Sequence, residues 1–371
     1  MADSQRTLPR CFGCLKDPRR SNRRRHLLID VIAMAVCAVI AGADCWVDIE
    51  TFGHKRQARL QTFLALPNGI PSHDTFERVF DRLRPRALQA CVLRWLHAVS
   101  AVLGVKHIAI DGKTLRRSGN ADLGPLHLVS AWAAEANLTL GQVAVDGKSN
   151  EITAIPQLLG LLNLKGALVT IDAMGCQKEI AASIVAKGGD YLLMVKENQP
   201  HLRADIEGSF VKAYDTDFEG RRHDKFETEA DAHGRHEKRV YELLYDVSGI
   251  RNRDAWAGLQ VLGKCYRERT VGEKTSDELH YFIASAPCSA QQFGACLRNH
   301  WGIENRLHWQ LDVTFGEDLS RIQKRHGADN FALLRRTAVS LLNGQPGKGS
   351  VRTKRYQATL DVTALEEILK M

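Results

Sequence analysis

The chain has 371 residues, 44% hydrophobic and 25% charged, a composition that excludes a disordered or fibrous protein and provides apolar material for two or three packed units. Lys and Arg total 51 against 43 Asp and Glu, a formal charge of +8 that favours a polyanionic partner. The most apolar stretch, Val31 to Ala43, lies between Asp30 and Asp44 and is shorter than the about 20 residues a membrane span needs, so no membrane partner is expected.

The N-terminus is charged and no small-residue cleavage site follows the first apolar run, so no secretory signal is expected. Nine scattered cysteines, an odd number, suit a reduced compartment and point to the cytoplasm. Cys11 and Cys14 form a C-x-x-C, but without a second ligand pair nearby they read as free thiols rather than a zinc site. Arg19, Arg20, Arg23, Arg24 and Arg25 form a run that is either a solvated arm or a set of phosphate contacts.

Apolar positions Leu28, Val31, Ile32, Ala35, Val36 and Val39 recur at helical spacing and predict a helix with one broad buried face. Pro67 to Pro71 break the chain, and Asp74 with Glu77 three residues on predicts a capped helix start. A further helix is expected over Ala87 to Leu103, making residues 1–105 an all-helical N-terminal domain, read as DNA-binding or as a platform.

At Val105 the texture becomes β-prone. Strands are predicted at His107–Ile110 before Asp111, Leu126–Trp132, Leu138–Val145, Ala167–Ile171 before Asp172, and Tyr191–Val195. Helices are predicted at Ile152–Leu162 and Gln177–Lys187. Three strands, then helix, strand, helix, strand, describe an α/β fold: a ribonuclease H-like mixed sheet flanked by helices, its first part at 106–200. Residues 201–290, with strand-like segments Lys238–Val247, Leu259–Arg269 and Glu278–Ala284, read as a mostly β insertion. Closing helices are expected over 291–345, one running from about Ser289 past Asp312 and one from Asn330 to Leu342. Residues 346–371 are expected to form a basic C-terminal tail, loosely ordered from Asn343 to Arg355.

Asp111 and Asp172 each end an apolar strand, where ligand-binding groups of α/β sheets gather. Side by side, unpaired carboxylates repel, and hard divalent cations relieve that repulsion. A third carboxylate is sought in His300–Trp309, where ideal helical spacing puts Trp301, Glu304, His308 and Leu311 on one face, Glu304 pointing inward between large rings. His300, Glu304 and His308 could instead hold one transition metal, but the H-E-x-x-H of helical zinc hydrolases is absent. Two oxygen-bound magnesium ions, roughly 4 Å apart, fit the residue types better. Of the later acids, Glu317 and Asp318 follow Gly316 beyond the expected helix end, and Asp312, two turns on from Glu304, is the competitor.

The segments Ile110–Lys113, Lys148–Ile152, Thr170–Gln177 and Lys196–Gln199 resemble those of DDE transposases of bacterial insertion sequences. Within these the chain most resembles the H-repeat-associated family, to whose motifs His300–Asp318 and Ile70–Phe76 are also similar, so that the resemblance runs from about Leu28 to Leu342. It implies a ribonuclease H-like core, a metal-dependent site of Asp111, Asp172 and Glu304 loaded with two Mg2+ or Mn2+ ions, cleavage of insertion-sequence ends and strand transfer into target DNA. It further implies double-stranded DNA as partner, a homodimer assembled on DNA, and a place at the nucleoid. One departure stands out: around the third carboxylate, related enzymes carry Tyr, Arg and Lys where this chain has Leu297, His300 and Leu311.

Candidate DNA contacts are Lys113, Arg116 and Arg117 after the first Asp, and Lys196, Asn198 and Gln199 after the fifth strand. Arg235 and Arg239 in the insertion, and Trp301 and His308 in the third motif, complete the set. Two other readings keep the same core: a domesticated DNA-binding or regulatory protein, and a structure-selective nuclease that cuts without joining.

Overall fold

The structure, a computed structural model, describes residues 7–99, 105–119, 124–145, 150–232 and 234–369. The end of the helix expected to reach Leu103, and Lys148 and Ser149 of the second motif, lie outside the described residues.

The N-terminal residues form α1 (Thr7–Phe12), α2 (Leu28–Ile40), α3 (Trp46–Leu60), α4 (His73–Phe80) and α5 (Pro85–Val99). The helix α4 starts at His73 behind Ser72, one turn position before the expected Asp74 start, which leaves Asp74 in the first turn beside the helix dipole. The expectation of one broad buried face on α2 is corrected. Every residue from Asp30 to Ile40 is buried, because α2 is the hub on which α1, α3 and the late helix α10 (Gly327–Gly344) pack. Even Asp30 is enclosed, its carboxylate accepting the Leu66 N–H at 2.9 Å. Trp46 stacks on Phe80 and meets Phe331 of α10 edge-on, and Asn330 donates to the carbonyls of Phe80 and Leu83. The N-terminal helices therefore share one core with the C-terminal part of the chain.

Where α3 crosses α2 the contact is a glycine. A Cβ on Gly53 would stand 2.6 Å from Ile70 Cγ2 and 2.9 Å from Met34 Sδ. Gly53→Ala is expected to lower stability by about 1 kcal/mol despite alanine's better helix propensity, since overpacking costs about 1–3 kcal/mol. Urea denaturation of the two proteins checks this, and an unshifted midpoint would show that the crossing relaxes.

The strands are β1 (His107–Thr114), β2 (His127–Ala133), β3 (Leu138–Val145), β4 (Leu168–Ile171), β5 (Asp190–Val195), β6 (His223–Ala232), β7 (Arg235–Leu244), β8 (Val261–Val271) and β9 (Lys274–Ala284). They form one mixed sheet in the order β3-β2-β1-β4-β5-β9-β8-β7-β6. In it β1, β4 and β5 run parallel and all other neighbours antiparallel. The β-rich residues 201–290 thus continue the central sheet through the pairing of β5 with β9. Its flanking helices are α6 (Glu151–Leu161), α7 (Lys178–Ala186), α8 (Pro200–Asp215) and α9 (Ala290–Ile303), with α10 against β3.

The tail expected to be loosely ordered is helical instead: α11 (Val351–Leu360) and α12 (Val362–Leu369) follow α10. Arg355 and Thr359 of this tail are engaged with the rest of the protein, while Lys348 and Arg352 face solvent. The Arg355 guanidinium lies 4.2 Å over the Phe315 ring and reaches Asp44 at 3.1 Å, while Thr359 donates to the Ala41 carbonyl at 2.7 Å. Among the described residues, no helix is long and apolar enough to cross a membrane.

Candidate active site

The parallel ladder between β1 and β4 ends at the pair Ile110–Ile171. Asp111 and Asp172 follow that last pair on neighbouring strands, so strand register alone makes them neighbours. Beyond it β1 stays paired with β2, whereas the chain after Asp172 turns into a short 3-10 helix, Ala173–Gly175. Asn198 donates to the Ala173 carbonyl at 2.6 Å and Gln199 to that of Cys176 at 2.9 Å. Both side chains brace the turn that carries Asp172.

Burial above all, then the negative charges of Asp172, Glu151 and Glu304, push the Asp111 carboxyl up to about 7, against the pull of a Gly112 N–H bond at 2.9 Å. Asp172 is also raised, by burial first and by the charge of Glu151, with the Met174 and Gly175 amides and Lys196 opposing. Asp111 therefore feels three other carboxylates, the expected Asp172 and Glu304 and, in addition, Glu151. An all-oxygen donor set under mutual repulsion fits a hard divalent cation. Among the described residues, no three His, Cys, Asp or Glu side chains close around a single point.

The third motif departs from the expected geometry. After Ile303 the helix widens into π turns over Glu304–His308 and Gln310–Thr314. The wider turns shift the buried stripe to intervals of four, and Ile303, Leu307, Leu311 and Phe315 are each at most 1% exposed. Glu304 is consequently exposed rather than pointing into the core, and Trp309 stands 52% exposed instead of packing beside it. Trp301 is half-buried against the far half of the sheet, with the Arg239 and Arg267 guanidinium groups each 5.9 Å from its ring.

His300 and His308 do not converge with Glu304 on one ion. Thr170 Oγ1 joins His107 Nε2 at 2.8 Å and His300 Nδ1 at 2.9 Å, and burial holds both imidazoles down at about 4, so both are neutral. His308, also kept neutral by burial and pushed down to about 3, sets Nδ1 3.5 Å from Asp111 and is 13% exposed, which makes it a wall of the site. The three positions that depart from related enzymes are all interior: Leu297 and Leu311 are core, and His300 is tied to Thr170.

The basic candidates divide. Lys113 is 9% exposed and paired with Asp312 at 2.7 Å and Asp318 at 3.5 Å, so its charge is taken up within the protein. That pair also gives Asp312 a partner of its own. Arg116 meets Asp318 at 3.2 Å yet remains 82% exposed, and Arg117 and Lys196 are exposed. Arg235 lies exposed beside the β6–β7 turn, while Arg239 pairs with Glu237 at 2.6 Å. In the N-terminal run Arg19 is buried and bound to Asp17 at 2.7 Å, leaving Arg20, Arg23 and Arg25 to solvent. A groove of about 1090 Å³ passes between the helical unit and the sheet, with Arg84, Arg86 and Arg325 along it and His127, Glu151 and Met174 at its site end.

Glu151 and His127 were missed from sequence. Glu151 stands inside the second matching motif, but nothing in its spacing distinguishes it from an ordinary first-turn acid of α6.

Residues 104–341 match the family described as "Transposase DDE domain", and residues 10–96 match the region described as "DDE_Tnp_1-associated". The chain belongs to the DDE transposase family. It is 40% identical over 369 residues to "Putative transposase YncI" of Escherichia coli O157:H7, covering 96% of this chain and 93% of that protein. It is 37% identical over 367 residues to "H repeat-associated putative transposase YhhI" of Escherichia coli strain K12, covering 96% of both. The resemblance to H-repeat-associated transposases thus holds along nearly the whole transposase chain. Membership implies DNA as substrate and a dependence on divalent metal ions, to which the oxygen-rich site conforms.

Proposed function

We propose that this transposase cuts DNA at the ends of its insertion sequence and transfers the 3′-hydroxyl into target DNA at the site of Asp111, Asp172 and Glu304. The observation that carries the reading is the register of β1 and β4, which sets two aspartates side by side at strand ends, with the charge of Glu304 acting on the first. The order β3-β2-β1-β4-β5, with β1, β4 and β5 parallel, supports a ribonuclease H-like core.

Asp111, Asp172 and Glu304 would hold two divalent ions, Mg2+ or Mn2+, which supply an activated water or aligned hydroxyl and stabilise the leaving oxygen. The chain's own residues prepare that ground. Gly112 N–H, Asn198 and Gln199 fix the two aspartates, and neutral His308 walls the site without adding charge. The exposure of Glu304 leaves its carboxylate open to a substrate arriving from solvent.

Arg84, Arg86 and Arg325 line the path of a DNA backbone toward the carboxylates, with Arg116, Arg117 and Lys196 as nearer phosphate contacts. The N-terminal helices carry recognition of the terminal repeats. We place the protein at the nucleoid in the cytoplasm, acting as a homodimer on DNA.

The test uses the full-length protein with DNA carrying the inverted repeats that flank its gene and Mg2+. Nicked ends and a joined target product are expected. Cutting without any joined product would assign a nuclease, and end binding without cutting a regulatory protein.

A further inference from the structure

We propose that Glu151 is a fourth carboxylate of the metal site and that His127 is the residue that positions it, an inference that rests on the reading of Asp111, Asp172 and Glu304 as ligands. His127 Nε2 donates to Glu151 Oε1 at 2.6 Å, and its Nδ1 meets Thr114 Oγ1 at 2.7 Å. Thr114 and His127 are themselves paired across β1 and β2, so the chain Thr114–His127–Glu151 is anchored on the sheet at one end. The other end is the first residue of α6, where the helix dipole favours a carboxylate.

The seat of this pair is Gly112. A Cβ there would fall 2.1 Å from Glu151 Oε1 and 2.7 Å from His127 Nε2, so any other residue would evict the carboxylate. The same glycine gives its N–H to Asp111 Oδ1. Gly112 and Thr114 alternate along β1 with Asp111 and Lys113, so Glu151 and His127 lie on the sheet face opposite the Lys113–Asp312 pair. The aspartates at the strand ends are thereby flanked from one face by His308 and the motif carrying Glu304, and from the other by Glu151. Among the described residues, His127 takes one oxygen of Glu151, and the residue is also at the end of the arginine-lined groove. A carboxylate serving only to pin α6 to the sheet would need neither that opening nor a place beside two other acids.

The experiment measures Mn2+ binding to the full-length protein without DNA, by calorimetry, alongside thermal melting. The isosteric Glu151→Gln, which keeps an acceptor for His127, is expected to weaken Mn2+ binding about tenfold or more, and His127→Ala to weaken it less. Gly112→Ala should match Glu151→Gln, and the double variant should be no worse than either single one. Mn2+ affinity unchanged in Glu151→Gln, with at most a lower melting temperature, would overturn the proposal and leave Glu151 a structural acid. Asp111→Asn separates the two readings: if it loses Mn2+ binding while Glu151→Gln keeps it, only this inference fails, and if both keep it, the three-carboxylate reading fails as well.

Discussion

Asp111→Asn, Asp172→Asn and Glu304→Gln should each lower DNA cleavage by about a thousandfold or more, since a metal-assisted phosphodiester reaction draws several kcal/mol of barrier lowering from its ligated ions. Binding to terminal-repeat DNA should stay within about threefold, because none of the three removes a positive charge from the protein. Asp312→Asn is the contrasting case. Its carboxylate already has Lys113 at 2.7 Å, so its loss should leave cleavage largely in place while freeing Lys113 toward Asp318. Gel assays of cleavage and of end binding on the same preparations check all four. Full cleavage by any triad variant would remove that residue from the site, and inactive Asp312→Asn beside active Glu304→Gln would exchange their roles.

The second large effect is expected far from solvent. Arg336 of α10 and Glu317, which follows the π-helical segment, form an ion pair at 2.8 Å with both side chains 0% exposed. Arg336 also reaches Ser130 of β2, the residue paired with Asp111, and the Ala332 carbonyl. Glu317→Gln leaves a buried guanidinium without the carboxylate it pairs with, and breaking a buried pair from one side typically costs about 3–5 kcal/mol. A paired replacement, Glu317→Leu with Arg336→Met, should recover most of that loss because it removes both charges together. Denaturant unfolding monitored by tryptophan fluorescence reads both, and a single variant as stable as the parent would show that water reaches the pair.

The sheet was legible because its five leading strands are short, apolar and bounded by turn residues, and the two strand-end aspartates stand out against them. Its continuation through β6–β9 was less so, since those strands carry Glu, Lys and Arg along much of their length and look like a separate unit until β9 is seen beside β5. The helix α2 misled for a different reason. A period of 3.6 reports one apolar face, yet Ala33, Cys37 and Ala38 complete the circle with small residues that any face tolerates.

The charge of Glu304 acts on Asp111, but the α-helical wheel turned the residue inward. The extra residue per turn that exposes it cannot be seen in a pattern read at ideal pitch. Glu151 was hidden for a tertiary reason, since its significance comes from Gly112 and His127, distant in sequence.

The dependence of the first helices on α10 also sets an order on how the protein comes into being. During synthesis α2 to α5 leave the ribosome early, but Phe331 and Asn330, which close their core, are among the last tenth or so of the chain, and loop closure across that span precedes any reward in contacts. Glu304 arrives late as well, after both aspartates and the whole sheet. A chain cut short by a frameshift or a stalled ribosome before α10 therefore lacks both a consolidated helical unit and its closing helices. The helical core of this transposase is in this way consolidated only once α10 has been made.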